Sequence, residues 1–239
     1  MQVSSRALVF SSLKYAEADL IVSCFTEKFG LKSYLLRGIL KSKRGKLRTS
    51  MFQPLSLLQI EAYHKDKGSL ERINEAKVIL PYKTLHTEVV KTSLLLFLSE
   101  ILKNSVKEEE ANPSLFQFIE NSLKWLDINE KIANFHLLFL LKLTNFLGFY
   151  PDFSENNAPY FNLMEGNFQQ HSLGQFCEEG EAIVALIQLD KCEFKYLSEL
   201  SIPKSVRLKT LDLLLKYYQL HIQGYKAPKS LPVLTQLFH

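Results

Sequence analysis

"DLIVSCFTEKFGLKSYLLRGI", residues Asp19–Ile39, holds two short runs of β-branched, aromatic and leucine residues parted by a turn. "DLIVSCFTE" (Asp19–Glu27) and "LKSYLLRGI" (Leu31–Ile39) read as strands, and "KFG" (Lys28–Gly30) supplies the turn chemistry between them. Working outward, "RALVFSSLKY" (Arg6–Tyr15), "LSLLQIEAY" (Leu55–Tyr63) and "LERINEAKVI" (Leu70–Ile79) have the same character, with a second turn in "HKDKG" (His64–Gly68). In the fourth run Leu58, Ile60 and Ala62 fall on one face, and Gln59, Glu61 and Tyr63 on the other. Five short strands within residues 1–80, with the longest connection between the third and fourth, predict a five-stranded OB-type β-barrel.

Beyond Pro81 the pattern changes to helices. "VVKTSLLLFLSEILK" (Val89–Lys103) is leucine-rich and free of Gly and Pro. "SLFQFIENSLKWL" (Ser114–Leu126) carries Leu115, Ile119 and Leu123 at four-residue steps. "INEKIANFHLLFLLKLTNFLG" (Ile128–Gly148) is apolar almost all round, which predicts a central helix stopped by Gly148. Its apolar run is too short and too interrupted to span a bilayer. Residues 149–176 read as irregular, "EEGEAIVALIQL" (Glu178–Leu189) as a helix, and Pro203–Ile222 as another with proline in its first turn. The fold class is therefore α+β, with a β domain at 1–80 and an all-α domain at 81–239.

Charge is divided unevenly between these parts. Residues 1–80 hold 14 Lys/Arg against 7 Asp/Glu, while residues 81–239 hold 15 against 18. The excess is concentrated in "GILKSKRGKLRTS" (Gly38–Ser50), where Lys41, Lys43, Arg44, Lys46 and Arg48 are five cations in eight residues. The run from Lys28 to Ile60 contains no carboxylate, and Arg37 and Lys32 add to the same neighbourhood. Such a loop can be a solvated face, or it can neutralise phosphates of a nucleic-acid backbone. Arg37, Lys41, Lys43, Arg44, Lys46 and Arg48 are the candidate phosphate-binding residues. Phe25, Phe29, Tyr34, Phe52 and Tyr63 interleave with them. Most are expected to fill the barrel core, with Tyr34 and Tyr63 the two placed to stack on bases. A second group, Lys204, Arg207 and Lys209, stands in the first turns of the last long helix, where the dipole disfavours cations and unpaired N–H groups attract anions.

Catalytic patterns are absent from the chain: no HExxH, no GxSxG, no GxxxxGK[ST]. Three cysteines, Cys24, Cys177 and Cys192, form no CxxC pair, which fits a reducing cytoplasm. The N-terminal residues lack a signal-peptide core. His136, inside an apolar helix, reads as a core residue.

The order of these pieces resembles the RecO family of bacterial recombination mediators. The resemblance is carried by "KYAEADLIVSCFTEKFGLKSYLLRGILKSKRGKLRTSMFQPLSLLQIEAY" (Lys14–Tyr63), with its Thr26–Gly30 "T-x-x-x-G" and the "RG" of Arg37–Gly38. "LTNFLGFYP" (Leu143–Pro151) and "YYQLHIQGYKAPKSLPVL" (Tyr217–Leu234) continue it. It implies a non-enzymatic DNA repair and recombination protein that binds single- and double-stranded DNA and anneals complementary strands. It implies work with RecR to load RecA onto strands coated by single-stranded-DNA-binding protein (SSB), whose acidic C-terminal tail Lys204 and Arg207 would suit. Many members carry a four-cysteine zinc site after the stretch matching "GFYP". Residues 152–181 hold only Cys177, so no cofactor is expected, and packing of Tyr160, Phe161, Phe168 and Phe176 is expected to stabilise residues 150–180 instead. The alternative is an interaction scaffold whose basic loop binds an acidic protein; a nuclease would want clustered carboxylates that the basic region lacks.

Overall fold

The computed structural model describes residues 1–42, 46–65, 70–107, 109–172 and 174–238. Five strands, β1 (Gln2–Tyr15), β2 (Asp19–Thr26), β3 (Gly30–Leu36), β4 (Leu57–Tyr63) and β5 (Arg72–Val78), form one antiparallel sheet in the order β3-β2-β1-β4-β5. β1 is long enough to pair with β4 through its first half and with β2 through its second, and a register shift between Val9 and Ser11 marks the change of partner. The free edges of β3 and β5 curl towards each other and meet at one parallel bridge, Tyr34 to Glu71, rather than along a ladder. There the Leu35 N–H donates to the Glu71 carbonyl at 2.9 Å and the Glu71 N–H donates to the Ser33 carbonyl at 2.8 Å. The strand order and this parallel meeting are those of an OB-type barrel.

Alternation explains which side chains fill it. Leu20, Val22 and Cys24 from β2, and Leu58, Ile60 and Ala62 from β4, are all buried in one cluster, as the period of two requires. Fully burying each Leu or Ile removes roughly 1.5–3 kcal/mol of exposure cost. Tyr34 joins this cluster and is fully buried, which corrects its expected place on an open face. Its hydroxyl meets the His64 imidazole Nε2 at 3.0 Å, so the one polar atom of a core tyrosine is satisfied. Phe25 and Phe52 are buried and Phe29 packs against the cluster, in line with a core-filling role.

The two turn motifs have local causes. In "T-x-x-x-G" the Thr26 hydroxyl donates to the Gly30 carbonyl at 2.8 Å and accepts from the Phe29 N–H at 3.0 Å, closing the β2–β3 turn. In "RG", Gly38 takes a φ of 68°, the left-handed region that glycine tolerates, and its N–H donates to the Asp19 carboxylate at 2.7 Å. This ends β3 at Leu36 rather than Ile39, so Arg37 stands beyond the strand.

Six helices lie among the described residues: α1 (Val89–Ser105), α2 (Pro113–Ile128), α3 (Phe135–Phe146), α4 (Glu181–Asp190), α5 (Lys204–His221) and α6 (Leu231–Phe238). The composition changes near Pro81, whereas packing divides the chain into Met1–Lys124 and Trp125–His239. In the first unit Phe25 from β2 stacks on Phe10 at 5.6 Å and meets Phe116 of α2 at 6.1 Å. In the second, α3 is buried on nearly all sides, and the Tyr218 hydroxyl of α5 donates to the Leu140 carbonyl at 2.8 Å. His136 is buried, with its ring edge-on to Phe238 at 5.4 Å.

Two parts of the second unit differ from the expectation. Residues 149–176 are not wholly irregular: β6 (Tyr160–Asn162), β7 (Asn167–Gln169) and β8 (Cys177–Glu178) form a small sheet. Strands of two and three residues leave no periodicity to read. The terminal α6 lies beyond Ile222, the end of the last helix read from the sequence. No helix among the described residues is long and apolar enough to cross a membrane.

Candidate nucleic-acid interface

The basic connection between β3 and β4 leaves the barrel at Gly38 and ends in a single turn of 3-10 helix at Thr49–Phe52, where Phe52 is buried as its anchor. Arg37, just before Gly38, and Lys41, Lys46 and Arg48 between these fixed points are exposed, and Lys43 and Arg44 lie outside the described residues. Two carboxylates that are distant in sequence come to the segment. Lys41 pairs with Glu17 of the β1–β2 turn at 3.1 Å, and Lys46 pairs with Glu75 of β5. The connection is therefore free of acids in sequence but not in space. Both pairs are open to water, with side-chain exposure of 68% and 89% for Lys41 and Glu17, so they are screened and weak. Arg37 and Arg48 have no ion pair among the described residues.

Beside this connection the β3 and β5 edges diverge past the Tyr34–Glu71 bridge and leave an open cleft of about 840 Å³. Its lining includes Arg37, Ser42 and Lys46 from the end of β3 and the connection after it, and Tyr63, Lys65 and Arg72 from the end of β4 to the start of β5; Leu35 and Ile73 are apolar parts of it. Tyr63 and Arg72 are directly opposed in the β4–β5 ladder, which sets phenol and guanidinium side by side on one face. Tyr63 is 47% exposed, as its expected stacking role requires. Glu71 also borders the cleft but is buried, and its carboxylate accepts the Lys65 N–H at 2.8 Å. Lys65 and Arg72 were not singled out from the sequence. The strand that carries Arg72 was legible and Lys65 falls in the turn read after the fourth strand, but that β5 lies against the end of β3 follows only from the topology.

A different arginine shows what a structural cation looks like. Arg6 of β1 donates to Glu27 at 2.9 Å and to Glu120 of α2 at 2.7 Å, and its guanidinium lies over the Phe116 ring at 5.1 Å. The hydrogen bond to Glu27 holds the Arg6 pKa above its ordinary value, and the same bond holds the Glu27 carboxyl below the usual range. Burial pushes the Cys24 thiol up to about 12, which leaves it without thiolate character at neutral pH.

On the second unit Lys204 is exposed at the start of α5, with Pro203 at the N-cap. Arg207 is half-buried; it donates to the Ile202 carbonyl at 2.8 Å and, at 3.4 Å, to the Phe238 carbonyl at the C-terminal end of α6. Lys209 pairs with Glu181 at 3.3 Å. The structure thus brings Arg207 to main-chain carbonyls of its own chain and leaves Lys204 open. In the stretch 150–180, Phe161 meets Phe168 at 5.0 Å and Tyr217 of α5 at 5.9 Å, and Phe168 meets Phe153 at 5.7 Å. Gly166 has a φ of 69°, and a Cβ there would stand 2.5 Å from the Tyr217 hydroxyl, so the β6–β7 turn requires glycine twice over. No group of three or more His, Cys, Asp and Glu able to hold a metal ion occurs among the described residues.

These features define an OB-type domain with a cation-rimmed cleft, followed in the chain by helices. Residues 1–82 match the family model described as Recombination protein O N terminal, and residues 86–232 match Recombination protein O C terminal. The chain is 44% identical over 238 residues to the DNA repair protein RecO of Christiangramia forsetii, with all of both chains covered. It is 43% identical over 240 residues to the protein of that name from Flavobacterium psychrophilum, again with full coverage. With the Bacteroides fragilis protein it shares 34% over 238 residues, or 97% of each chain. The chain belongs to the RecO family, a family of DNA repair and recombination.

Proposed function

We propose that the chain is a non-catalytic mediator that binds single- and double-stranded DNA through its phosphates, without sequence preference, and anneals complementary strands. Arg37, Lys41, Lys43, Arg44, Lys46 and Arg48 grip the backbone. The observation that carries this reading is the exposure of the described members of the set on one anchored connection, held at most by screened surface pairs. Phosphates displace such carboxylates, because contact with the polyanion releases condensed counterions. A cationic surface also screens the repulsion between two strands, which is what annealing needs. No nucleotide cofactor or zinc enters this scheme, and the aromatic packing around Phe161 and Phe168 takes the structural place of a metal.

In the bacterial cytoplasm this chemistry serves the loading of RecA onto SSB-coated DNA together with RecR. Lys204, exposed at the start of α5, and Arg207 meet the acidic tail of SSB. The test is a strand-annealing assay of the intact chain against a triple variant, Lys43→Ala, Arg44→Ala, Lys46→Ala, with circular dichroism to establish that the variant folds. Annealing falls strongly in the variant; unchanged annealing overturns the proposal. The pairs Lys41–Glu17 and Lys46–Glu75 favour a second reading, in which the connection binds carboxylates of an acidic protein. Failure to retain any oligonucleotide at low salt selects that reading.

A further inference from the structure

A surface that needs only phosphates has no use for a recess with apolar groups in its lining, yet the cations at the β3/β5 seam border a cleft of mixed polar and apolar lining. Leu35 from the end of β3 and Ile73 from β5 are part of its lining, and its volume of about 840 Å³ is within the range of clefts that take a small group. Tyr63 is among its lining residues and is about half exposed, so its ring face is open to a ligand. Its opposite residue in the ladder is Arg72, and Lys65 and Arg37 complete a cationic rim. An aromatic face beside guanidinium and ammonium groups is the pairing that takes an unstacked base with its own phosphate. Bases in a duplex are stacked on one another and cannot offer that face.

We propose that this seam is a strand-selective subsite. A base of an unpaired strand stacks on Tyr63, while Arg72, Lys65 and Arg37 hold the phosphates on either side of it. The inference rests on the proposed DNA binding and adds to it a reason for the protein to tell an open strand from a closed one. The phosphate-gripping connection serves both, and Arg37 is common to it and the seam; the stacking position at Tyr63 serves only the strand whose bases are exposed.

The test uses the intact protein and three probes of equal phosphate count: an oligothymidylate, the same length of abasic single strand, and a duplex. Tyr63→Leu should lower affinity for oligothymidylate by about 5- to 100-fold. It should leave the abasic strand and the duplex unchanged. Tyr63→Phe keeps the ring and should restore oligothymidylate binding. Arg72→Gln should weaken both single strands alike. An equal loss on all three probes, no loss on any, or failure of Tyr63→Phe to rescue overturns the subsite. So does an acidic peptide that binds the wild type and loses affinity in Tyr63→Leu while oligothymidylate does not. If the wild type holds neither strand nor duplex, the DNA reading itself falls. If it holds all three probes and Tyr63→Leu changes nothing, only the subsite falls.

Discussion

Arg6 and Arg72 are both strand arginines of the same sheet, and they live in opposite circumstances. Arg6 is held between Glu27 and Glu120 and lies over an aromatic ring. Arg72 stands exposed at the mouth of a cleft, and no carboxylate pairs with it among the described residues. A charge that fastens β1 to α2 is compensated at contact distance, because its partner Glu120 is buried and an unpaired buried carboxylate is costly. On the proposed function, a charge that takes a ligand is left to water, which can be displaced. The difference would then separate the cations that build this fold from those that bind.

The comparison can be broken most severely with salt. If the cleft and connection make about six phosphate contacts, affinity for DNA falls on the order of a thousandfold between 50 and 200 mM salt. A fluorescence-anisotropy titration across that range measures the slope, and a flat response would place the outer cations with Arg6 as structural. Next in size is Arg6→Met. It removes charge-assisted hydrogen bonds to Glu27 and Glu120, and after allowance for partial exposure should cost about 2 kcal/mol in a urea titration. Its DNA affinity should stay unchanged. The pH dependence has a definite sign. The Glu27 carboxyl is depressed in the folded state by Arg6, so its contribution is present above the ordinary carboxylate range and is lost as pH falls through the depressed value. Arg6→Met should therefore flatten the acid limb of the stability curve. The smallest effect is that of Lys41→Ala: stability within about 0.5 kcal/mol of the parent, and a salt slope shallower by about one.

How much of this was legible before folding depended on distance along the chain. The β2 and β4 alternations name their inward residues directly, since a period of two can put Leu58, Ile60 and Ala62 only on one side. The basic connection was equally plain. What local pattern could not carry was apposition. Tyr34 shares its strand with polar neighbours, and only the approach of His64 makes burial of its hydroxyl tolerable. Glu17 and Glu75 temper the basic connection from outside its own stretch; Arg72 joins the cleft because β5 returns beside β3, and Lys65 because it directly follows the end of β4. Arg207 gave the signal of a cation at a helix start, yet its nearest partners are carbonyls, one of them in a terminal helix that its short stretch did not announce.

The sheet's two outer strands touch through a pair of main-chain hydrogen bonds and then part. A ring fastened at one clasp yields there first, for each neighbouring ladder spreads any pulling force over its whole length. Thermal breathing of this domain should therefore concentrate at the Leu35 and Glu71 amides, whose protons are expected to be the first of the bonded interior to trade with deuterated water. Whatever lodges beside the clasp and bridges its two jaws converts that weakest link into a tightened one, and occupancy can be read from the slowing of those two exchange rates alone.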